Sequence, residues 1–531
     1  MTDTFRRVPR GLIASAATLS AALLLAAPSP SGATGTEIKI SDDWAQLTED
    51  SKELAGGAEY FRFQEKAVTP GHSTRRELNI VRIDPAKGAL RVESTVGASI
   101  SGRESVRDQL KAGFFKDHPP LAGINGSYFL PEPPAAGVEG AKETLAFLGV
   151  SARDGVLNSI SCVKARLGAD GRPVHDAQGK EEPDYGNQAV VLQHGVPYIA
   201  RLRASVTLSY LDKDKKDVPG GPTLTVGGIN RDPGRAPCAY DKTTLNSAER
   251  TLTTLSEKWA YTTPDDIVLF HDGYGAKTPL ANLDPTPAIN EDDAAGVEVK
   301  VDAAGKMTTS TAVRGNQSVQ KGGYVLQAIG QGATDLTKFV DDANAAGKGY
   351  TLKVTQRVED MDLTRPVDGQ TAQRPVDLDE SVDIVSGIHR LMEDGEHSKE
   401  YKSCVRLYSP EGAKRDEGDY VAGDACRDSR TVLGIDKQGR TVLTTITGPR
   451  DAAPGTSDGE FMKSVAEILK STFDVTDAIN FDGGGSTTMI VQGTRQTGRT
   501  DETSDATDPV AEGERAIADS VYTGNGGIAV K

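Results

Sequence analysis

The segment Ala478-Ile479-Asn480-Phe481-Asp482-Gly483-Gly484-Gly485-Ser486-Thr487-Thr488-Met489-Ile490-Val491 sets an amide, a carboxylate, three glycines and three hydroxyls between two apolar runs. The apolar flanks read as buried strand, so the polar group falls where one strand ends and the chain reverses. Glycine there permits positive φ and lets a second group come close to the backbone. Two readings follow: an active-site turn, or a β-turn whose Asp482 only bonds neighbouring amides.

Working outward, alternation over Glu77 to Asp84 and again over Leu90 to Ser94 predicts two strands around Asp84-Pro85. Ser101 and Glu104 have the spacing of a capping box ahead of a short helix with Val106 and Leu110 on one face. Leu121 to Ile124 then reads as a strand that delivers Asn125 to its end. The arrangement recurs when Ser457 and Glu460 precede Phe461, Val465 and Leu469 at helical spacing, followed by a strand ending at Asn480 and Asp482. A third helix is predicted from about Asp335 to Ala346, leading through Gly347 into a strand over Tyr350 to Val358. Together these predict an α+β or α/β fold: one elaborated domain with a large mixed β-sheet, flanking helices and long insertions.

The 531 residues divide into three parts. Residues 1–33 carry Arg6, Arg7 and Arg10, an apolar run from Leu12 to Ala27 and then Ser31-Gly32-Ala33, the pattern of a secretory signal peptide; the run is short for a membrane-spanning helix. Residues 34–76 are polar and read as an extended lead-in, and residues 77–531 as the main domain, so the mature protein is expected outside the cytoplasm. A net charge of −16 speaks against nucleic-acid binding, which needs clustered Lys and Arg. No later stretch is long and apolar enough to anchor the chain in a membrane.

Cys162, Cys238, Cys404 and Cys426 are expected to form two disulfides in an oxidising compartment. Of the three connectivities, Cys162 with Cys238 and Cys404 with Cys426 is preferred, because the second bridge would clip a polar loop. No Cys-x-x-Cys pair and no clustered histidines provide a zinc site, so no metal is expected in the catalytic chemistry. Calcium is the one cation that the acidic loops, such as Asp284 to Gly296 and Glu359 to Glu380, would suit, although they lack EF-hand spacing. The turn also lacks the last glycine of a Gly-x-Ser-x-Gly elbow and the Gly-Lys-Ser/Thr of a phosphate loop.

The order Asn480, Asp482, Gly483-Gly484-Gly485, Ser486-Thr487-Thr488 resembles the signature of the phosphodiester glycosidase family, which includes the lysosomal uncovering enzyme. Gly123-Ile124-Asn125-Gly126-Ser127-Tyr128-Phe129 is similar to the family's Ile-Asn-Gly-Gly-Tyr-Phe, and Gly228-Ile229-Asn230-Arg231 to its Val-Asn-Arg. Weaker likenesses are His271-Asp272-Gly273-Tyr274-Gly275, Arg430 to Ile435, and Gly513-Glu514-Arg515-Ala516-Ile517-Ala518-Asp519. Ser127 departs from the family pattern by standing where a second glycine is usual, and Ser386 to Leu391 replaces a more glycine-rich segment.

The resemblance implies hydrolysis of a glycosyl-1-phosphodiester in an extracellular or cell-wall glycoconjugate, with a carbohydrate or sugar phosphate as partner. Asp482 is then the expected catalytic carboxylate, since cleavage at a sugar C1 usually needs one to move a proton or to shield positive charge. Asn125 and Asn480 suit the orientation of sugar hydroxyls or water. The amides around Gly483, Gly484 and Gly485, the hydroxyls of Ser486 and Thr487, and Arg231 or Arg430 suit phosphate oxygens, with Arg450 a further guanidinium. Asn230 belongs to this substrate-binding set, Tyr128 to a pocket wall, and Asp272 or Glu514 to a second carboxylate. The plainer alternatives stay open: Asn125-Gly126 is also a hairpin dipeptide, and a lone Arg is more often an ion-pair partner. Two other functions compete, a noncatalytic glycan or cell-surface binding module and a glycosidase for phosphate-free bonds.

Overall fold

The long strand Val196–Leu211 pairs along ten residues with Thr351–Asp360, and on its other part with Gln188–Gln193. It is the backbone of an eight-stranded antiparallel sheet that also takes in Ser151–Arg153, Val156–Ser159 and Val382–Ser386. Its side chains alternate between buried and half-buried, the period-2 pattern of a sheet with one covered face.

The computed structural model describes residues 38–69, 74–87, 90–102, 104–111, 119–132, 144–160, 188–237, 260–262, 265–280, 296–309, 314–362, 374–387, 389–398, 428–450, 459–498 and 514–525. The signal-peptide expectation, all four cysteines and most of the acidic insertions lie outside these residues.

The nine-stranded sheet positions the glycine turn. Its central order is Ala58–Glu65, Glu77–Ile83, Thr441–Thr447, Arg430–Asp436, Val475–Asn480 and His389–Glu393, every neighbour antiparallel. Alternation gives it two apolar faces. Tyr60, Val81, Leu433, Leu443 and Ile479 point into a core shared with Val190, Val385 and Ile124 of other sheets. Phe61, Ile80, Val432, Val442 and Ala478 point the other way, beneath the helix Met462–Phe473. That helix buries Met462, Val465, Ala466, Leu469 and Phe473, the i, i+3, i+4, i+7 stripe of a helix laid on a sheet. Each such fully buried large apolar side chain stabilises the fold by about 1.5–3 kcal/mol.

A five-stranded sheet carries the other half of the site: Thr494–Arg495, Met489–Val491, Ala122–Asn125, Ser520–Asn525 and Leu90–Thr95. A second five-stranded sheet, built on Ile267–His271, Tyr324–Ala328 and Val297–Val301, packs with the helix Gly330–Asn344 against the eight-stranded sheet.

The expected α+β or α/β class is therefore incorrect. The described residues are mostly strand, in several antiparallel sheets, with three α-helices and one parallel pair, Gly228–Ile229 with Ile267–His271. Helices with a clear stripe are conspicuous in a sequence, whereas strands buried on both faces, such as Thr441–Thr447, show no alternation of apolar and polar residues. Ala58–Glu65, within the stretch read as a lead-in, is a strand of the main sheet. Smaller differences concern caps. Ser105 rather than Ser101 caps the helix Val106–Leu110, while the Ser101 hydroxyl donates to the Tyr274 carbonyl at 2.5 Å. The third helix starts at Gly330, about a turn and a half earlier than predicted.

Candidate active site

The strand Val475–Asn480, paired in the main sheet with Arg430–Asp436 on one side and His389–Glu393 on the other, hands the chain to Phe481, whose ring is fully buried and whose N–H donates to the Thr431 carbonyl. From that anchor the turn is pinned on both sides. Asp482 N–H donates to the Gly126 carbonyl at 3.0 Å, and Gly484 N–H to the Ser429 carbonyl at 2.9 Å. Gly484 has φ +59°, a conformation costly for residues bearing a Cβ, and a Cβ on Gly483 would meet the Ser429 carbonyl oxygen at 2.7 Å.

Asn125, 0% exposed, is the strut between the two sheets. Its Nδ2 donates to the Asp482 carbonyl at 2.7 Å, and its Oδ1 accepts from the Thr431 hydroxyl at 2.7 Å and the Thr488 N–H at 3.1 Å. The amide expected to orient a sugar is thus engaged by three protein groups. The turn amides are likewise used: Gly483 N–H donates to the Asp482 carboxylate, Ser486 N–H to the Gly483 carbonyl and Thr487 N–H to the Gly484 carbonyl.

Three buried side-chain atoms here close no hydrogen bond within the protein. Asn480 Nδ2 donates to the Tyr128 hydroxyl at 3.2 Å and to the Phe481 carbonyl at 2.7 Å, leaving its buried Oδ1 without a hydrogen-bond partner. Ser486 Oγ and Thr487 Oγ1 are buried without a satisfied partner as well. Ser486 Oγ lies near enough to Asp482 to favour its charged form, though it does not meet full hydrogen-bond geometry. Such orphaned buried polar atoms are rare in folded proteins, and three of them fall between Asn480 and Thr487.

Asp482 is half-buried. Desolvation pushes its carboxyl up to about 6; the Ser486 hydroxyl, the Arg515 guanidinium and the Gly483 N–H oppose the rise, and Asp428 adds to it. A second carboxyl, Asp519, is 1% exposed and is pushed by burial to about 7. It accepts from Ser127 N–H at 2.6 Å and from the Ser127 hydroxyl at 2.8 Å, while the charges of Asp383 and Asp482 raise it further. Gly126 lies between the two aspartates, its carbonyl on Asp482 N–H and its own N–H on the Asp519 carbonyl at 2.9 Å; a Cβ there would sit 2.3 Å from Asp519 Oδ1.

Asp428 stands at the rim, 3.3 Å from where a Cβ of Gly484 would be; desolvation of its carboxyl raises its pKa, and the charges of Arg430 and Arg515 and the Ser429 N–H only partly oppose the rise. Arg515 lies 3.1 Å from a Cβ of Gly485, and Arg430 Nε donates to the Glu460 carbonyl at 3.1 Å with its Nη1 near Gly483.

The structure thus brings together Asn125, Tyr128, Arg430, Asn480, Asp482, Gly483, Gly484, Gly485, Ser486 and Thr487. Asn230 and Arg231 are placed elsewhere. Arg231, 4% exposed, makes a two-pronged pair with Asp266 at 2.6 and 3.2 Å, and Asn230 donates to the Asn158 carbonyl. Glu514 pairs with Arg107 at 2.6 Å, Asp272 accepts from Gly322 N–H, and exposed Arg450 donates to Gln496. Sequence reasoning missed Asp428, Arg515 and Asp519 as site residues. The last two sit in the segment Gly513 to Asp519, whose likeness to the family was noted without a role for either, and Asp428 lies in no motif at all.

Residues 295–523 match the phosphodiester glycosidase family. Arg430, Asn480, the glycine turn, Arg515 and Asp519 all fall inside that stretch, whereas Asn125 and Tyr128 precede it. Among solved structures, a candidate exported protein of Burkholderia pseudomallei K96243 is similar at TM-score 0.59 and 19% identity, covering 92% of this chain and 98% of that one, a likeness of fold. A hypothetical protein from Synechocystis has TM-score 0.47 and 14% identity, with 88% and 62% covered. The catalytic domain of zebrafish N-acetylglucosamine-1-phosphodiester α-N-acetylglucosaminidase, auto-inhibited by its pro-peptide, has TM-score 0.29 and 13% identity, with 90% and 87% covered. At these values the last two bear on neither fold nor site. No curated protein matches the chain.

Proposed function

We propose that the chain is a secreted hydrolase that cleaves the bond between a sugar C1 and phosphate in an extracellular glycoconjugate. The observation that carries the reading is the clustering, on one turn, of a carboxyl raised to about 6, three orphaned polar atoms and two guanidiniums. The family match over residues 295–523 supports the same class of bond.

The chemistry divides between the two sides of the turn. A phosphate leaving group needs little protonation, so the demand shifts to holding its oxygens while the C1–O bond lengthens and the sugar gains positive charge. Arg515, with Arg430, supplies the charge complement, and the Ser486 and Thr487 hydroxyls supply neutral donors. Asp482, ionised above its raised pKa, faces the developing charge at C1 or takes the proton of an attacking water. Asn480 Oδ1 accepts from a sugar hydroxyl. Asp519 stays bound to Ser127 as a second carboxyl that protonates more readily than Asp482.

The decisive experiment sets glycosyl-1-phosphodiesters beside p-nitrophenyl glycosides, with wild type and Asp482→Asn in parallel. The expected result is release of free sugar from the phosphodiesters alone and a loss in kcat on the order of 10²- to 10⁴-fold in a variant with an unchanged melting temperature. Near-normal kcat in folded Asp482→Asn rejects Asp482. Turnover of the p-nitrophenyl glycosides alone moves the protein to phosphate-free bonds, and binding without turnover makes it a glycan-binding module.

A further inference from the structure

A cavity of about 150 Å³ opens between the eight-stranded sheet and the sheet built on Ile267–His271, far in sequence from the glycine turn. Leu157, Val206, Ile229, Leu269 and Val354 line it, so its walls are largely apolar. Its polar end is His271, 7% exposed.

The tautomer of that ring follows from its neighbours. Gly273 N–H donates to Nδ1 at 3.2 Å, so the neutral ring carries its proton on Nε2. Burial lowers the pKa of His271 and keeps the ring neutral; the charge of Asp272 and the Leu157 backbone only partly offset this. Nε2 is buried and closes no hydrogen bond of full geometry, the Leu157 carbonyl being the backbone acceptor near enough to raise the ring's pKa. A buried donor left poorly paired costs about 1–3 kcal/mol, which a better-placed acceptor would recover.

The mouth is built as carefully as the floor. Asp272 Oδ2 accepts from Gly322 N–H at 2.8 Å and ties down the turn before Tyr324, with Gly322 at φ +72° and a Cβ on Gly323 excluded by the Val301 carbonyl oxygen at 2.4 Å. Gln356, on the facing sheet, accepts from Leu157 N–H at 2.8 Å and fixes the opposite lip.

We propose that this cavity is a second binding site, for a neutral, compact, mainly apolar molecule about the size of one aromatic ring that bears a single hydrogen-bond acceptor for His271 Nε2. A dry apolar cavity of similar volume is known to take a benzene ring. An anion would lose its hydration against the apolar walls and meet the carboxylate of Asp272, so the acceptor is a carbonyl, ether or hydroxyl oxygen.

Acetophenone and its isostere without the acceptor, ethylbenzene, test the site by ligand-observed NMR titration of the full chain. Saturable binding is expected for both, with acetophenone tighter by roughly 3- to 10-fold, the effect of one neutral hydrogen bond. Val354→Phe, which fills the cavity from a half-buried position, should abolish binding, and His271→Leu should erase the preference for acetophenone. Absence of saturable binding to wild type overturns the proposal. So does binding that survives Val354→Phe in a protein of unchanged melting temperature, and equal affinity of wild type for the two probes removes His271 from the site.

Discussion

Gly126 separates two carboxyls that both hold protons more tightly than an isolated aspartate. Because the chain passes from Asp482 N–H through Gly126 to the Asp519 carbonyl, any side chain at 126 must push Asp519 Oδ1 from its 2.3 Å approach. Gly126→Ala is expected to lower kcat about 10²-fold while shifting the melting temperature by only a few degrees, since displaced reacting groups cost more in rate than in stability. Steady-state kinetics and calorimetry on the same preparation check this. Asp519 makes a pH prediction of definite sign. Its pKa in the folded chain, about 7, lies above the ordinary aspartate value, so the native state binds the proton more tightly than the unfolded one. The stability this gives is complete below about pH 4 and is lost as pH rises through about 7. Asp519→Asn mimics the protonated form at every pH, so its melting temperature should gain on that of wild type between pH 4 and pH 8. A constant difference across that range would refute the assignment. Activity should follow the coupled titration of Asp482 and Asp519 as a pair, with apparent values that belong to neither alone.

Among the elements, paired strands rather than helices determine where the chemistry sits. Two strand ends, Asn480 and Asn125, lie side by side because Val475–Asn480 and Ala122–Asn125 come from different sheets that share one apolar core. The turn between Asn480 and Met489 was legible as a turn from residue type, because three successive glycines between polar groups interrupt the apolar runs, whereas its reading as a site came from the family resemblance. Also legible were the strands at Glu77, Leu90, Ala122 and Val475, which combine β-branched residues with bounded length. The long strand Val196–Leu211 was not singled out, although it organises a whole sheet, since it lies among insertions and carries no motif. Arg231 pairs with Asp266 instead of reaching the turn, which was not legible for a related reason. A guanidinium beside an asparagine in a family-like segment has no local mark to show that Asp266 of a distant loop will claim it. Arg231→Met should therefore cost about 3–5 kcal/mol by leaving Asp266 buried and unpaired, yet leave kcat per folded molecule unchanged. Chemical denaturation and active-site-normalised kinetics separate the two effects; a fall in kcat without a fall in stability would return Arg231 to the substrate.

For the whole molecule, the contacts that make the site are almost all between remote parts of the chain. Asn125 reaches Asp482 across 357 residues, and Ser127 reaches Asp519 across 392. The segment 295–523 that matches the phosphodiester glycosidase family omits Asn125, Gly126 and Ser127, so that segment by itself lacks the strut and the Asp519 partner described above. Pairings of such separation require large loops to close before any contact rewards them, which places this architecture among slow folders. A chain emerging from synthesis has its glycine turn long after its first sheets, and Asp519 later still. The candidate site, which joins Asn125 and Ser127 to Asp482 and Asp519, therefore assembles only when nearly the whole chain is present, and an incomplete chain lacks it.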